Sequence, residues 1–369
     1  MAVTLNGTTG LVFNDGSAQD TAATGFGFKN RILNGSMVLD QRNAGASVAT
    51  TVTGTPTYTL DRFAYQSSQA SKYTVQQNAA AVTPPTGFSN YLGVTSTSAY
   101  SVLTGDYFLL RQPIEGFNTA DLGFGTASAS TVTLSFWVRS SLTGTFGGSL
   151  GNGSRSYPFT YTISVANTWE QKSITIAGDT SGTWVGATNA TGMILAFSLG
   201  MGSTYSTTAG AWAAGNYLSA TGATSVVGTS GATFYITGVQ LEKGSTATLF
   251  DYRPIGTELQ LCQRYYETTS YPNAAQDITS TQTSVLWAAT FSTGQKYLVA
   301  KRAAPTITIF GRTNAAGGPT RTDTGAAITG TSTASSIGAI GFWAVSLGQS
   351  LASYPAYAME VGYTASAEL

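Results

Sequence analysis

The sequence has no histidine and only one cysteine, Cys262. The lack of histidine excludes Ser–His–Asp and Cys–His catalysis, and it excludes metal centres with histidine ligands. The single cysteine excludes a disulfide within the chain, as we expect of a protein that folds in a reducing cytosol. A pair of carboxylates, as in glycosidases, is the catalytic arrangement that the composition still allows.

Charge is also scarce. Charged residues make up 9% of the 369 residues, and 17 basic residues balance 17 acidic ones. Nucleic acid is not expected as a partner, because neutralising phosphates requires clustered Lys and Arg. There is no run of about 20 apolar residues, so we expect no membrane insertion. The first ten residues lack the basic start and apolar stretch of a signal peptide.

The sequence is rich instead in short alternating runs, in which β-branched and aromatic residues alternate with polar ones. Clear examples are residues 131–138, 159–165, 172–177, 234–241 and 306–310. In each run one face can pack while the other meets solvent or a ligand. Their number and spacing predict an all-β protein with a β-sandwich of the jelly-roll type.

The length favours two or three domains. Residues 1–29 carry short strand-like pieces around Asn14-Asp15-Gly16 but too few large apolar residues to fold alone, so we expect them to dock onto another chain or a symmetry mate. Residues 30–255 form the predicted jelly-roll domain. Residues 256–369 form a C-terminal β domain that begins with a short helix.

Several sequence blocks are recognisable in order along the chain. They are Leu5-Asn-Gly-Thr-Thr-Gly10, Phe13-Asn-Asp-Gly-Ser-Ala-Gln19, Asn30-Arg-Ile-Leu-Asn-Gly-Ser-Met37, Asp40-Gln-Arg42, Tyr58-Thr-Leu-Asp-Arg-Phe63, Leu134-Ser-Phe-Trp-Val138, Thr168-Trp-Glu170, Gly238-Val-Gln-Leu-Glu-Lys-Gly244, Cys262-Gln-Arg-Tyr-Tyr266 and Ala365-Ser-Ala-Glu-Leu369. Together they resemble bacteriophage tail-fibre and receptor-binding proteins. The middle domain is similar to jelly-roll carbohydrate-binding modules, particularly in its closing Gln-Leu-Glu-x-Gly strand.

This resemblance implies a homotrimer located in the virion tail and made in the host cytoplasm. It implies attachment to other tail or virion proteins through the N-terminal segment, and recognition of a host surface glycan. It brings no cofactor and no set of binding residues. The region 256–369 is implied to trimerise or to form the distal, receptor-binding part.

The helix is predicted at residues 257–267. Its apolar stripe consists of Leu259, Cys262 and Tyr266, with Leu261 and Tyr265 beside it. This stripe packs either at a three-fold axis, where it would connect two domains, or against the strands of its own chain.

A glycan platform is predicted in the long polar stretch 200–232. Tyr205, Trp212, Asn216 and Tyr217 lie there, and aromatic rings can stack on the C–H face of a pyranose while amides orient its hydroxyl groups. The alternative is that these aromatic residues pack the loop onto the sandwich or onto a neighbouring subunit.

Three further tryptophans lie in or near predicted strands. Trp137 and its neighbour Phe136 face opposite ways in an alternating run. Core packing is predicted for at least one of Trp137, Trp169 and Trp184.

Carboxylates offer two weaker alternatives. Asp40, Asp61 and Glu242 are candidate calcium ligands, but no dense Asp-x-Asp spacing supports them, and local salt bridges are the alternative. We therefore assign no metal.

Asp106, Glu115 and Asp121 lie close together in the sequence and are candidates for a catalytic pair, with turn and cap formation as the alternative. We assign no catalytic residue and expect no enzymatic activity. The leading hypothesis is a glycan-recognising tail fibre. A purely structural virion component, such as an adaptor or a capsid decoration protein, is the second, and a polysaccharide depolymerase is the third.

Overall fold

The computed structural model describes the greater part of the chain. Backbone and side chains are described for residues 28–269, 294–310, 333–344 and 362–369, and backbone alone for the strand segments 4–6, 10–12, 18–19, 281–283, 285–287, 290–293, 320–321, 332, 345–347 and 358–360.

These parts of the chain form 28 strands and one α-helix, α1 (Ile255–Gln263). The first strands are β1 (Thr4–Asn6), β2 (Gly10–Val12) and β3 (Ala18–Gln19). They are followed by β4 (Val48–Ala49), β5 (Thr57–Leu60), β6 (Phe63–Ser67), β7 (Tyr73–Gln77), β8 (Leu92–Ser96), β9 (Tyr107–Glu115), β10 (Val132–Ser140), β11 (Gly144–Gly151), β12 (Arg155–Ile163), β13 (Glu170–Ile176), β14 (Thr191–Met201), β15 (Ser206–Thr207), β16 (Ala213–Ala214), β17 (Ser219–Ala220) and β18 (Thr233–Lys243). After α1 come β19 (Tyr266–Thr268), β20 (Thr281–Thr283), β21 (Val285–Trp287), β22 (Thr290–Lys296), β23 (Thr306–Phe310), β24 (Thr320–Arg321), β25 (Ser332–Ser335), β26 (Gly341–Leu347), β27 (Ala358–Glu360) and β28 (Gly362–Ser366).

Two large antiparallel sheets dominate the fold. The six-stranded sheet has the order β13-β10-β18-β8-β7-β4, and the seven-stranded sheet has the order β16-β12-β11-β14-β9-β6-β5. Their inner faces share one core, in which Phe136 of β10 lies edge-on to Phe197 of β14 at 5.0 Å between ring centroids. The predicted all-β sandwich is therefore confirmed, and all five alternating runs coincide with strands.

A two-stranded parallel sheet, β15-β17, lies within the sandwich region, and the other small sheets lie toward the two ends of the sequence. Strands β1, β2 and β3 pair antiparallel, so strand pieces flank the predicted turn at Asn14-Asp15-Gly16, which itself lies outside the described residues. After α1, the described strands form the sheets β19-β28-β23, β20-β27-β24 and β21-β22-β26-β25. No helix among the described residues is both long and apolar enough to cross a bilayer.

Helix α1 begins two residues earlier and ends four residues earlier than predicted. Cys262 on its apolar side is fully buried against Leu33 and Leu39 from the opening segment of the sandwich. In this contact, α1 packs against its own chain, which is the second of the two packings predicted for its apolar stripe. Glu258 in the first turn accepts a hydrogen bond from the backbone N–H of Asn34 and an ion pair from Arg253 at 3.1 Å.

Residues from four of the recognisable sequence blocks meet at the junction of the sandwich with the residues after α1. Arg264 binds the buried Glu115 carboxylate at 2.6 Å, and the Tyr265 hydroxyl donates to the same carboxylate at 2.5 Å. On the other side, Glu368 forms ion pairs with Arg42, at 2.7 Å, and with Arg62. Polar residues of these four blocks, together with Glu115, therefore form hydrogen bonds and ion pairs at this junction.

Glu115 should make stability at this junction depend on pH. Burial raises the pKa of Glu115, but hydrogen bonds from Arg264 and Tyr265 outweigh burial and leave the pKa below its usual value of 4.5. A carboxylate whose pKa is lowered by folding contributes stability above its unfolded pKa and loses it as the pH falls through the folded value. We expect Glu115→Gln to lower the free energy of unfolding at pH 7 and to lose less stability than the wild type below pH 4.5, in urea unfolding across that range.

The matched control is Asp121→Asn. Asp121 pairs with Arg31 at 2.8 Å, but its side chain is 48% exposed, so removing its charge should change stability little. A Glu115→Gln protein with the same acid-induced loss as the wild type would refute this role of the junction.

Candidate functional site

The outer face of the six-stranded sheet carries an aromatic and polar surface. Because Phe136 points into the core, its neighbour Trp137 points outward and lies opposite Gln171 of β13. One row along, Ser135 of β10 lies opposite Ser173 of β13. The result is a strip that combines one large ring with an amide and two hydroxyl groups.

A groove of about 750 Å³ lies over this strip. Its floor comes from β10 and β13, and its walls come from the chain before β8 and the chain after β18. The lining residues are Phe88, Ser135, Trp137, Gln171, Lys172, Ser173, Gly238, Ala247, Thr248, Leu249, Phe250 and Tyr252. Among the described residues that line the groove, Lys172 is the one with a charged side chain, and it pairs with Glu170 at 2.6 Å.

Three aromatic rings build one wall. Phe88 lies 5.1 Å from Phe250 and 5.5 Å from Tyr252 between ring centroids, and Phe250 lies 4.8 Å from Tyr252. The Tyr252 hydroxyl donates to the carbonyl of Gly87 at 2.7 Å. Tyr252 remains 56% exposed, so this wall presents an apolar surface to the groove and to solvent.

A β-bulge in β18 makes room for this arrangement. The register against β10 shifts between Ser135 and Trp137, and Gly238 in the bulge has φ +60°. A Cβ at Gly238 would lie 2.6 Å from the Phe88 ring and 3.1 Å from the Trp137 ring. Both the left-handed backbone and the close approach of the two rings therefore require glycine at this position.

Glu242 and Gln240 hold the chain after β18 in place beside the groove. The buried Glu242 carboxylate accepts hydrogen bonds from the backbone N–H of Thr248, at 2.9 Å, and from its hydroxyl, at 2.6 Å. Gln240 donates to Glu242 at 2.8 Å and accepts from the backbone N–H of Asp251 at 2.8 Å. The Gln-Leu-Glu block thus anchors the segment that carries Leu249, Phe250 and Tyr252.

The residues predicted to form a platform in 200–232 pack onto the sandwich. Tyr205 packs edge-on against Tyr107, at 5.4 Å between centroids, on the outer face of the seven-stranded sheet. Trp212 lies 5.5 Å from Trp184 and donates its indole N–H to the carbonyl of Ala177 at 2.7 Å. Both aromatic residues pack the loop onto the sandwich, as the alternative interpretation had it.

Asn216 and Tyr217 lie at a third place. They line a small cavity of about 20 Å³ next to Arg111 and Ser156. The predicted platform residues thus each have their own contacts on the sandwich, and the loop that carries them covers the sheet opposite to the groove.

The candidate calcium ligands each have protein donors. Asp40 accepts the backbone N–H groups of Asn43, at 2.9 Å, and Gly45, at 2.7 Å. Asp61 accepts the backbone and side-chain N–H groups of Gln41 at 2.8 and 2.5 Å, and burial raises the pKa of Asp61 to about 6. No group of three or more His, Cys, Asp or Glu residues within the described parts of the chain is placed to hold a metal ion.

Each of the candidate catalytic carboxylates has its own hydrogen-bond or ion-pair partner. Asp106 accepts from the Ser68 and Tyr100 hydroxyls at 2.8 and 2.9 Å. Glu115 belongs to the junction with Arg264, and Asp121 pairs with Arg31.

Sequence reasoning missed most of the groove. The alternation in the sequence places Phe136 and Trp137 on opposite faces of the strand, but it does not determine which of the two faces the core. Phe250 and Tyr252 closely follow the Gln-Leu-Glu block, and their position in the sequence could have indicated a binding site beside it. Phe88 carries no such signal, because only the fold brings it to Trp137.

Comparison with known proteins gives weak likenesses only. No protein-family model matches the chain, and no curated protein matches its sequence. Among solved structures, an enzymatically active domain of tailspike protein 4 from bacteriophage CBA120 has a TM-score of 0.31 at 14% identity, covering 58% of this chain and 22% of that domain. A family 11 carbohydrate-binding module from Clostridium thermocellum, in complex with a mixed-linked tetrasaccharide, has a TM-score of 0.27 at 13% identity, covering 55% of this chain and 98% of the module. At these values neither likeness identifies a ligand or an activity for this chain.

Proposed function

We propose that this protein is a glycan-binding adhesin without enzymatic activity that serves as a bacteriophage tail fibre. The groove over Trp137 supports glycan binding. The ordered series of tail-fibre-like sequence blocks supports the role in a virion, with residues 1–29 as the docking segment and a homotrimer as the assembled form.

The single observation that carries the binding proposal is the composition of the groove. A half-buried indole lies among Gln171, Ser135 and Ser173. Pockets that recognise small molecules combine apolar and aromatic surface with a few fixed polar groups, and an indole offers a flat apolar face to the C–H side of a sugar ring. The amide and hydroxyl groups can then exchange hydrogen bonds with the sugar hydroxyls.

Binding without hydrolysis fits the same geometry. Glycoside hydrolysis requires two carboxyl groups on either side of the scissile bond. No Asp or Glu is found among the described residues that line the groove. The carboxylates that the sequence offered as a catalytic pair are bound elsewhere by Arg264, Arg31 and the Ser68 hydroxyl.

The test fills the groove without removing a core contact. Ser173 is exposed on the groove floor and Thr160 is exposed on β12 of the other sheet. We expect the wild type and Thr160→Trp to bind a glycan array and host cells, and Ser173→Trp to lose at least about tenfold in affinity, which corresponds to 1.4 kcal/mol.

Each other result selects a different function. If the wild type binds neither glycans nor host cells and does not block infection, the result would favour a purely structural virion component. Release of oligosaccharide from host polysaccharide would indicate a depolymerase. Equal binding by Ser173→Trp and wild type would show that the glycan site lies outside this groove.

A further inference from the structure

The outer face of β10 continues beyond the groove to a cationic end. Arg139 follows Trp137 by two residues, so both point outward, with about 7 Å between their Cα atoms. Arg139 lies opposite Tyr235 of β18, with its guanidinium carbon 5.5 Å from the centre of that ring. Its Nε donates to the carbonyl of Asn167 at 2.9 Å, which fixes the guanidinium beside the strand.

Arg139 forms no ion pair with any Asp or Glu of the described residues. The acidic residue of the neighbouring strand, Glu170, pairs with Lys172 at 2.6 Å and accepts the backbone N–H groups of Ser164 and Val165. Its charge is therefore already balanced. The guanidinium of Arg139 leaves an uncompensated positive charge on this end of the sheet.

A second indole lies at the same end. Trp169 lies 6.5 Å from Tyr235, the ring that also contacts Arg139, and 5.6 Å from Tyr91. Its indole N–H donates to the carbonyl of Thr83 at 2.8 Å, so its orientation is fixed while the side chain is only partly buried. This end thus repeats the combination of a fixed ring and a polar group found at Trp137.

The opposite end of the face is covered. The Thr133 hydroxyl donates to the carbonyl of Gly244 at 2.8 Å, and the Thr175 hydroxyl donates to the carbonyl of Ser245 at 3.0 Å. The chain after β18 therefore crosses the strands at that end. A ligand on Trp137 that is longer than one sugar reaches the partly exposed Arg139 and Trp169 by extending along β10 in the other direction.

From this arrangement, and resting on the proposed glycan function, we infer that the groove takes an acidic glycan. A neutral sugar unit lies on Trp137, and the next unit presents a carboxylate, sulfate or phosphate group to Arg139. A guanidinium binds such oxyanions through charge-assisted hydrogen bonds, often two in parallel. Trp169 supplies the apolar surface beside the acidic unit.

The experiment compares matched glycans on one array, each backbone present with and without its uronate, sulfate or phosphate group. We expect the wild type to prefer the acidic member of a pair by about tenfold, the value of one charge-assisted hydrogen bond. Arg139→Gln should bind both members as the wild type binds the neutral one. The preference of the wild type should shrink in high salt, because a partly exposed charge pair is screened.

The matched control is Lys72→Gln. Lys72 also lies over an aromatic ring, 4.6 Å from the centre of Tyr100, but far from Trp137 along the sheet order, so its loss should leave the preference intact. Binding of both members with no preference in the wild type, or an unchanged preference in Arg139→Gln, would overturn this inference alone. Failure to bind any glycan would overturn the proposed function with it. The pairs that are preferred show which acidic group is recognised.

Discussion

Replacing Glu368 by alanine is expected to lower the free energy of unfolding by about 3–5 kcal/mol, the range for breaking a buried ion pair by removing one partner. Glu368 binds two guanidinium groups, those of Arg42 and Arg62, and Arg62 is only 1% exposed. Burial lowers the pKa of Arg62, but the Glu368 carboxylate outweighs burial and keeps the pKa above its ordinary value. Without Glu368, the charge on Arg62 keeps its hydrogen bond to the Pro113 carbonyl, at 2.6 Å, but loses its counter-ion.

Two further variants make the measurement specific. Asp121→Ala removes the partner of Arg31 from an exposed pair and should cost less than about 1 kcal/mol. Adding Arg62→Met to Glu368→Ala should restore part of the lost stability, because the unpaired buried charge is then gone. Chemical unfolding of the four proteins gives these values. A Glu368→Ala protein within about 0.5 kcal/mol of the wild type would contradict the role assigned to this junction.

Replacing Trp137 by alanine is expected to weaken glycan binding by about thirtyfold or more, because a central aromatic contact is commonly worth 2 kcal/mol or more. The indole is the one large ring on the groove floor, and both it and the Phe88 ring lie close to Gly238. Isothermal calorimetry with the strongest oligosaccharide from the array measures this loss. The fold should survive, because Trp137 lies on the outer face of the sheet and the core neighbours Leu134 and Phe136 stay in place.

Trp343→Ala is the matched control. Trp343 is 50% exposed and lies on β26, in a separate sheet. Its removal should change the affinity less than about twofold. A larger loss from Trp343→Ala than from Trp137→Ala would move the glycan site to the region after α1.

The strands were predictable because they follow a local rule. The run that became β10 alternates apolar and polar residues, and its core side, with Leu134 and Phe136, follows from that period once one residue is assigned to the core. The alternation by itself shows only that Trp137 and Phe136 lie on opposite faces of the strand. The second sheet determines which of them faces the core, because Phe197 of β14 lies against Phe136.

The helix end and the groove depend on distant residues. Helix α1 stops at Gln263 because β19 begins at Tyr266 and pairs with Ser366, one hundred positions away. Phe88 and Trp137 come close together at Gly238, in the bulge of β18. Neither contact leaves a periodic trace in the sequence.

The surroundings of the loop aromatics also depend on distant residues. Tyr205 and Trp212 lie in a polar, glycine-rich stretch, which is typical of an exposed binding loop. In the structure they pack against Tyr107 and Trp184. The composition of a stretch shows that it contains a few aromatic residues among polar ones. It does not show whether a neighbouring strand provides a ring for them to pack against.

The most direct test of the groove is an NMR titration of the indole N–H signals with a glycan that the wild type binds. The indole groups of Trp169 and Trp212 donate to the carbonyls of Thr83 and Ala177, whereas Trp137 lines the groove. We expect the Trp137 signal, assigned from the Trp137→Phe spectrum, to shift in proportion to saturation while that of Trp212 stays in place. A shift of the Trp212 signal with an unchanged Trp137 signal would contradict the account and would place the ligand on the loop of residues 200–232.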